Sequence, residues 1–383
     1  MANQSEEVQW SSTSSEEGDL LHTDATWGCD TPSHITEPDE VPLVYEGAVI
    51  GRRYVVQGHI QTSTTATSVR ALDRASGLTV AVKMSIRPGE SSPSSNERQI
   101  ERMLKHKIGP ARTLFCRTID TGFHDDLSYK VLELCDFSLM NVISMRILHP
   151  LPKRHLREIE IQLIRGLEFL HSMGVAHTDL KPTSIALRSG DLVELQSVEL
   201  CITEFEDALV VLDTVHGKVG ANNYRAPEVT LDLPWNRSVD LFALGCICAE
   251  LYLGRRLFPF TDTDEERLAL LERVIGSFPL LLAVRAEHIT PGRFTYDPTV
   301  RVKWPPADGL GVPDQATARS ILMTPPLSYH ILDDDYFDLC LSLMRLDPEE
   351  RGDISDYHTH AFFLRHDDDL LPVYPSPDEY YEL

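Results

Sequence analysis

Residues 1–50 contain eleven acids and no lysine or arginine; residues 366–383 contain six acids and again neither base. Of the formal net charge of −24, −11 and −6 therefore lie at the two ends, leaving −7 for the body between them. This balance argues against nucleic acid, whose binding rests on neutralising phosphates, and suits basic partners or simple solubility. The seven cysteines include no C-x-x-C pair and no metal-ligand spacing, and Cys246 and Cys248 fall on different faces of a helical pattern. Ordinary core thiols in a reduced, intracellular protein are expected. The polar, acidic N-terminus resembles neither a secretory signal nor a transit peptide. The most apolar run, Leu241 to Leu253, is too short for a membrane span and contains Glu250. No internal repeat is visible.

What is present suffices for a core: 42% of the residues are hydrophobic and 25% charged. The Ser, Thr, Glu and Asp of residues 1–40 show no apolar period and read as a disordered, acidic tail. Strand-like runs follow at Tyr54-Val55-Val56, at Val69-Arg70-Ala71-Leu72-Asp73 and, after a Ser76-Gly77 turn, at Thr79-Val80-Ala81-Val82-Lys83. Residues 96–108 predict a helix with Ile100, Met103, Leu104 and Ile108 on one side. Residues 155–173 predict a second, carrying Leu156, Ile159, Leu163, Ile164, Leu167 and Leu170.

That second helix delivers the chain into His177-Thr178-Asp179-Leu180-Lys181-Pro182-Thr183-Ser184-Ile185. Beyond it stand Ile202-Thr203-Glu204-Phe205-Glu206-Asp207-Ala208, then Gly220-Ala221-Asn222-Asn223-Tyr224-Arg225-Ala226-Pro227-Glu228, and finally Leu346-Asp347-Pro348-Glu349-Glu350-Arg351. With Val80-Ala81-Val82-Lys83 ahead of them, these stretches resemble the signature motifs of protein kinases: V-A-x-K, H-x-D-L-K-P-x-N, D-F-G and A-P-E. Two further features are similar to the LAMMER (Cdc2-like, dual-specificity) kinases of the CMGC group, with SR-protein kinases as near neighbours. One is Thr178, where most kinases carry arginine. The other is Glu266-Arg267-Leu268-Ala269-Leu270-Leu271-Glu272-Arg273, followed by Val274-Ile275-Gly276-Ser277-Phe278-Pro279.

The resemblance covers about residues 50–364 and implies an α+β, two-lobed protein kinase fold. A small β-rich N-lobe with one main helix (about 50–135) would precede a larger helical C-lobe (about 136–364). The acidic tails would be 1–45 and 365–383. Implied too is ATP-dependent phosphorylation of Ser/Thr in protein substrates, with Mg²⁺ or Mn²⁺. Basic or Arg/Ser-rich partners, a monomeric state, no membrane and a nuclear or cytoplasmic location go with it. Asp179 would accept the substrate hydroxyl's proton, and Lys181 would face the transferring phosphoryl group. Lys83 would grip the α- and β-phosphates, paired with Glu97, Gln99 or Glu101. Nucleotide contacts fall to Val69, Ala81, gatekeeper Leu132, the backbone of Glu133 and Cys135, and Ala186 beneath the adenine. Thr62, Thr64 and Thr67 stand at the glycine positions of the phosphate loop, and Ser184 and Glu204 at the metal positions. Asp240 would anchor the catalytic loop, and Glu228 would pair with Arg351.

Several of these letters depart from the family pattern. Threonine is β-branched and resists φ > 0, so the loop is bulkier than a glycine-rich one. Ser184 replaces asparagine, Glu204 aspartate, Glu206 glycine and Ala221 threonine. Two readings follow. One is a protein kinase with much reduced phosphotransfer; the other is a pseudokinase acting as a binding or scaffolding module.

Overall fold

Val80, Val82 and Met84 alternate with Thr79, Ala81 and Lys83, so one face of this strand can be buried while the other carries a charge. The same alternation runs through its neighbours. In the computed structural model the described residues are 44–63, 66–88, 95–107, 109–145, 149, 151–188, 198–305 and 315–365. Most of the expected acidic tails and Ile108 lie outside them.

Six strands make the first sheet: β1 (Val49–Ile50), β2 (Tyr54–Thr62), β3 (Ala66–Asp73), β4 (Thr79–Ser85), β5 (Thr118–His124) and β6 (Leu127–Glu133). Their spatial order is β1-β2-β3-β4-β6-β5, with every pairing antiparallel. Tyr54, Val56, Val69, Ala71, Val82, Met84 and Val131 are among the side chains of one apolar cluster in this sheet. Helix α1 (Ser95–His106) lies between β4 and β5 in the chain and buries Ile100 and Leu104, as their spacing predicts.

The sheet's register corrects the reading of the phosphate loop. Val69 stands directly opposite Val82 and is 1% exposed within the sheet's apolar cluster. Lys83 and Ala81 point to the other face, where their partners on β3 are Ser68 and Arg70. Val69 therefore turns away from Lys83 and does not line the nucleotide face. A count that is one residue off sends every side chain of a strand to the opposite side. Thr62 and Thr67 follow Val69: they pair across the hairpin, Oγ1 to Oγ1 at 3.1 Å. Thr64 lies outside the described residues.

After β6 come β7 (Phe137–Ser138), α2 (Leu139–Ser144), α3 (Lys153–His171) and β8 (Val175–Ala176). Three short strands follow: β9 (Ile185–Leu187), β10 (Leu200–Ile202) and β11 (Leu209–Val210). The rest is mainly helical, with α4 (Pro227–Thr230), α5 (Ser238–Leu253), α6 (Asp264–Val274) and α7 (Leu280–Ile289). Then come β12 (Phe294–Thr295), β13 (Arg301–Val302), α8 (Gln315–Met323), α9 (Leu327–His330), α10 (Asp334–Leu343) and α11 (Ala361–Leu364). Helix α3 buries Leu156, Ile159, Leu163, Ile164, Leu167 and Leu170, the periodic set expected for it. Helix α5 has no polar face: residues 238–252 are all buried, and Gly254 closes it at φ 64°, a left-handed cap that glycine accepts without strain. An antiparallel sheet with one helix followed by a helical body is the expected α+β, two-lobed arrangement.

Candidate active site

The catalytic-loop stretch hangs from α5. Asp240 accepts from the backbone amides of His177 (2.8 Å) and Thr178 (2.9 Å), and His171 Nε2 lies 2.9 Å from its Oδ2. Burial works against this carboxylate, yet His171 and the loop hold it below its ordinary range. The loop can then support a residue that resists its own conformation: Thr178 has φ 66°. The Thr178 hydroxyl donates to the Asp207 carbonyl at 2.8 Å, tying this loop to the turn that carries Glu204, itself at φ 60°. Phe205 between them is buried, its ring 5.2 Å from that of His177.

Asp179 is oriented from two sides. Its Oδ1 accepts from the Ala221 amide at 2.8 Å, and its Oδ2 from Lys181 Nζ at 2.5 Å. A main-chain group thus steadies the aspartate where the family uses a threonine side chain. Lys181 Nζ also lies 3.9 Å from Glu204. Burial disfavours the Lys181 ammonium, but Asp179 and Glu204 raise its pKa overall.

Ser184 is placed otherwise than its motif position implies. Its hydroxyl accepts from the Lys181 amide at 3.0 Å, donates to the Lys181 carbonyl at 2.9 Å, and is 0% exposed. It braces the loop from inside, and the Ser184 carbonyl accepts from the amide and hydroxyl of Thr203, the neighbour of Glu204.

Lys83 pairs with none of the three α1 candidates. Its Nζ meets Glu206 Oε1 at 2.5 Å. Glu97 and Glu101 instead converge on Lys130 of β6, Glu97 in a short contact and Glu101 at 2.7 Å, while Gln99 is exposed. Lys130 is the direct cross-strand partner of Lys83, so two lysines stand side by side on the same face. Burial pushes Glu97 above its ordinary pKa, against the pull of Lys130. Burial also opposes the Glu206 carboxylate, but Lys83 holds it below its usual range. Lys130 escaped the sequence reading, although a lysine inside the apolar run 127–133 was a usable signal, since buried lysine demands a partner.

Around the expected adenine position, Leu132 lies opposite Ala81 on the Lys83 face. Ala186 on β9 is half-buried and paired with Ser138 and Cys201. The Glu133 side chain turns aside to Arg188 (2.9 Å) and the Arg117 amide (2.9 Å), and its own amide donates to the Arg117 carbonyl. Cys135 is half-buried.

Asp179, Lys181, Glu206 and Asp207 open onto a cavity of about 530 Å³, also lined by Asn96 and Lys218. Glu204 and Asp207 both have raised pKa values, chiefly through burial and further through neighbouring carboxylates. Four carboxylates, Asp179, Glu204, Glu206 and Asp207, thus face two lysines, Lys83 and Lys181. Carboxylate oxygens are the donors a divalent cation of the Mg²⁺ type takes, though no three of these acids lie within 4.8 Å of one another; the lysines suit phosphate.

A protein kinase domain model matches residues 54–363, and the chain belongs to the protein kinase family. It is similar to the serine/threonine-protein kinase AFC1 of Arabidopsis thaliana, 26% identical over 86% of this chain and 75% of that protein. It is also similar to the dual specificity protein kinase CLK1 of Homo sapiens, 27% identical over 86% of this chain and 70% of that one. The dual specificity protein kinase lkh1 of Schizosaccharomyces pombe matches at 26% over 70% of this chain and 41% of its own length. All three are LAMMER/CLK-type CMGC kinases, in agreement with the motifs. The crystal structure of the PF14_0431 kinase domain superposes with a TM-score of 0.71 at 21% identity, covering 83% of this chain and 97% of that one, which establishes the fold.

Proposed function

We propose that this chain is an ATP-dependent Ser/Thr protein kinase of LAMMER-like type whose phosphotransfer is strongly restrained by its own Glu206. The observation that carries this reading is the Lys83–Glu206 pair, formed while Glu97 and Glu101 are committed to Lys130. Glu206 stands where the family has glycine, and its carboxylate competes with phosphate for the Lys83 ammonium. When bound, ATP supplies the γ-phosphoryl group and the divalent ion neutralises its charge, with Glu204 and Asp207 as the residues to hold that ion. Asp179, aimed by the Ala221 amide and Lys181, accepts the proton of the substrate hydroxyl. Lys181 remains beside it to offset charge on the transferring group. The acidic balance of the chain favours basic, Arg/Ser-rich substrates.

Phosphate transfer from labelled ATP to an Arg/Ser-rich peptide, with Mg²⁺ and with Mn²⁺, tests this. Weak wild-type activity should be lost in Asp179→Asn and should rise at least tenfold in Glu206→Gly, equivalent to about 1.4 kcal/mol in the barrier. If Glu206→Gly transfers no more than Asp179→Asn, the second reading replaces the first. That reading, a kinase-shaped binding module without phosphotransfer, is favoured by the Ser184 hydroxyl, which is committed to the Lys181 backbone.

A further inference from the structure

Cys116 and Cys201 are far apart in sequence, yet their thiols meet beside the Glu133 carboxylate, two residues before Cys135. Cys116 precedes β5, Cys135 follows β6 and Cys201 lies on β10. The Sγ atoms of Cys116 and Cys201 and a carboxylate oxygen of Glu133 all lie within 4.8 Å of one another, with Cys201 Sγ 3.9 Å from Glu133 Oε1. The half-buried Cys135, two residues beyond Glu133, carries a further thiol outside that group. Three donors from three segments thus surround one point, with a fourth close by in sequence to Glu133.

We propose that Cys116, Cys201 and Glu133 supply three ligands of a structural Zn²⁺ site and that the Cys135 thiol turns in as the fourth. Tetrahedral zinc with Zn–S bonds of about 2.3 Å has ligand–ligand edges of about 3.8 Å, so closing the three grouped donors on the ion needs shifts of about 1 Å or less. Thiolate sulfur favours zinc over the hard cations of the catalytic cleft. The surroundings are those of a supported site. Arg188 donates to Glu133 Oε1 at 2.9 Å and to the carbonyls of Phe115 and Leu200 at 3.1 Å each, the neighbours of Cys116 and Cys201. It therefore fixes the carboxylate and both cysteine-bearing segments, and its guanidinium offsets the negative charge that three thiolates and a carboxylate leave on a dication. Cys201 is fully buried, whereas Cys116 and Cys135 are only partly so, which leaves an entry path. A metal here fastens the sheet to β10 behind the strand that bears Leu132, whether or not the chain transfers phosphate.

The test uses the full chain, purified reduced and without chelator. Metal content by mass spectrometry should give one zinc per chain, and Co²⁺ added to the metal-free protein should produce a thiolate-to-cobalt absorption band. Cys135→Ser and Cys201→Ser should weaken Zn²⁺ binding at least tenfold in competition with a chromophoric chelator, and Arg188→Met by up to about tenfold. Cys340→Ser, a buried thiol on α10, should leave it unchanged. Wild-type protein that retains no zinc and gives no cobalt–thiolate band overturns the proposal, even if the variants fail to fold. So does a Cys116→Ser/Cys201→Ser variant that keeps its zinc, or a disulfide among these cysteines in the protein as purified.

Discussion

Lys130 lies in a strand whose other central residues are apolar or uncharged, and an ammonium is tolerated there because Glu97 and Glu101 both reach it. Removing one partner from a buried ionic group leaves uncompensated charge, a larger loss than the group's net contribution. Lys130→Met should therefore cost about 3–5 kcal/mol of unfolding free energy in urea melts. The triple change Lys130→Met, Glu97→Met, Glu101→Met should recover most of that loss, since it leaves no charge unpaired. An equal loss in both variants would show that the three side chains do not act as a unit. The Glu228–Arg351 pair, buried and bidentate at 2.7 Å, follows the same physics. It was legible beforehand because both partners sit inside motifs whose letters are intact. Lys130 and Glu206 were not, because which charge meets which depends on strand face and turn shape rather than on order along the chain.

Among the elements, β3 and α5 show where a linear reading succeeds and fails. The strand itself was visible, but counting glycine positions back from Val69 put that residue on the wrong face, because only the pairing with β4 sets which side chains share Lys83's side. The thiol cluster was hidden for a related reason: its members come from three segments with no short spacing to mark them. Helix α5 was plain as an apolar run, and its packing has a local limit. A Cβ on Gly245 would sit 2.5 Å from Met344 Cγ and 2.9 Å from Leu343 Cβ, where the end of α10 crosses. Gly245→Ala should thus destabilise the protein by about 1–3 kcal/mol despite alanine's better helix propensity, read as a lowered melting temperature. A neutral or stabilising outcome would mean that α10 moves aside freely.

At the scale of the whole molecule, buried acids make stability depend on pH. Glu250 accepts from the Tyr224 hydroxyl at 2.8 Å and the Leu257 amide at 3.0 Å, yet burial pushes its pKa from 4.5 up to about 7. Between those values the folded chain keeps a proton that the unfolded chain has released, so this contribution is full below pH 4.5 and is lost as pH rises through about 7. Urea melts across that window should show Glu250→Gln removing about 3 kcal/mol of the decline. Glu160, raised to about 8 by burial, would add to the part that remains, with Glu97, Glu204 and Asp207 acting in the same direction. An unchanged slope would place Glu250 in contact with solvent.

The suspension of the catalytic loop from Asp240 has a consequence for how such a chain changes over time. The loop is hung from a carboxylate on a helix packed from Ser238 to Tyr252, and none of Lys83, Glu204 or Glu206 takes part in that attachment. Scaffold and chemistry are thus written in separate letters. A lineage can rewrite the second set, trading turnover for a new partner or a new brake, without the fold ever registering the change.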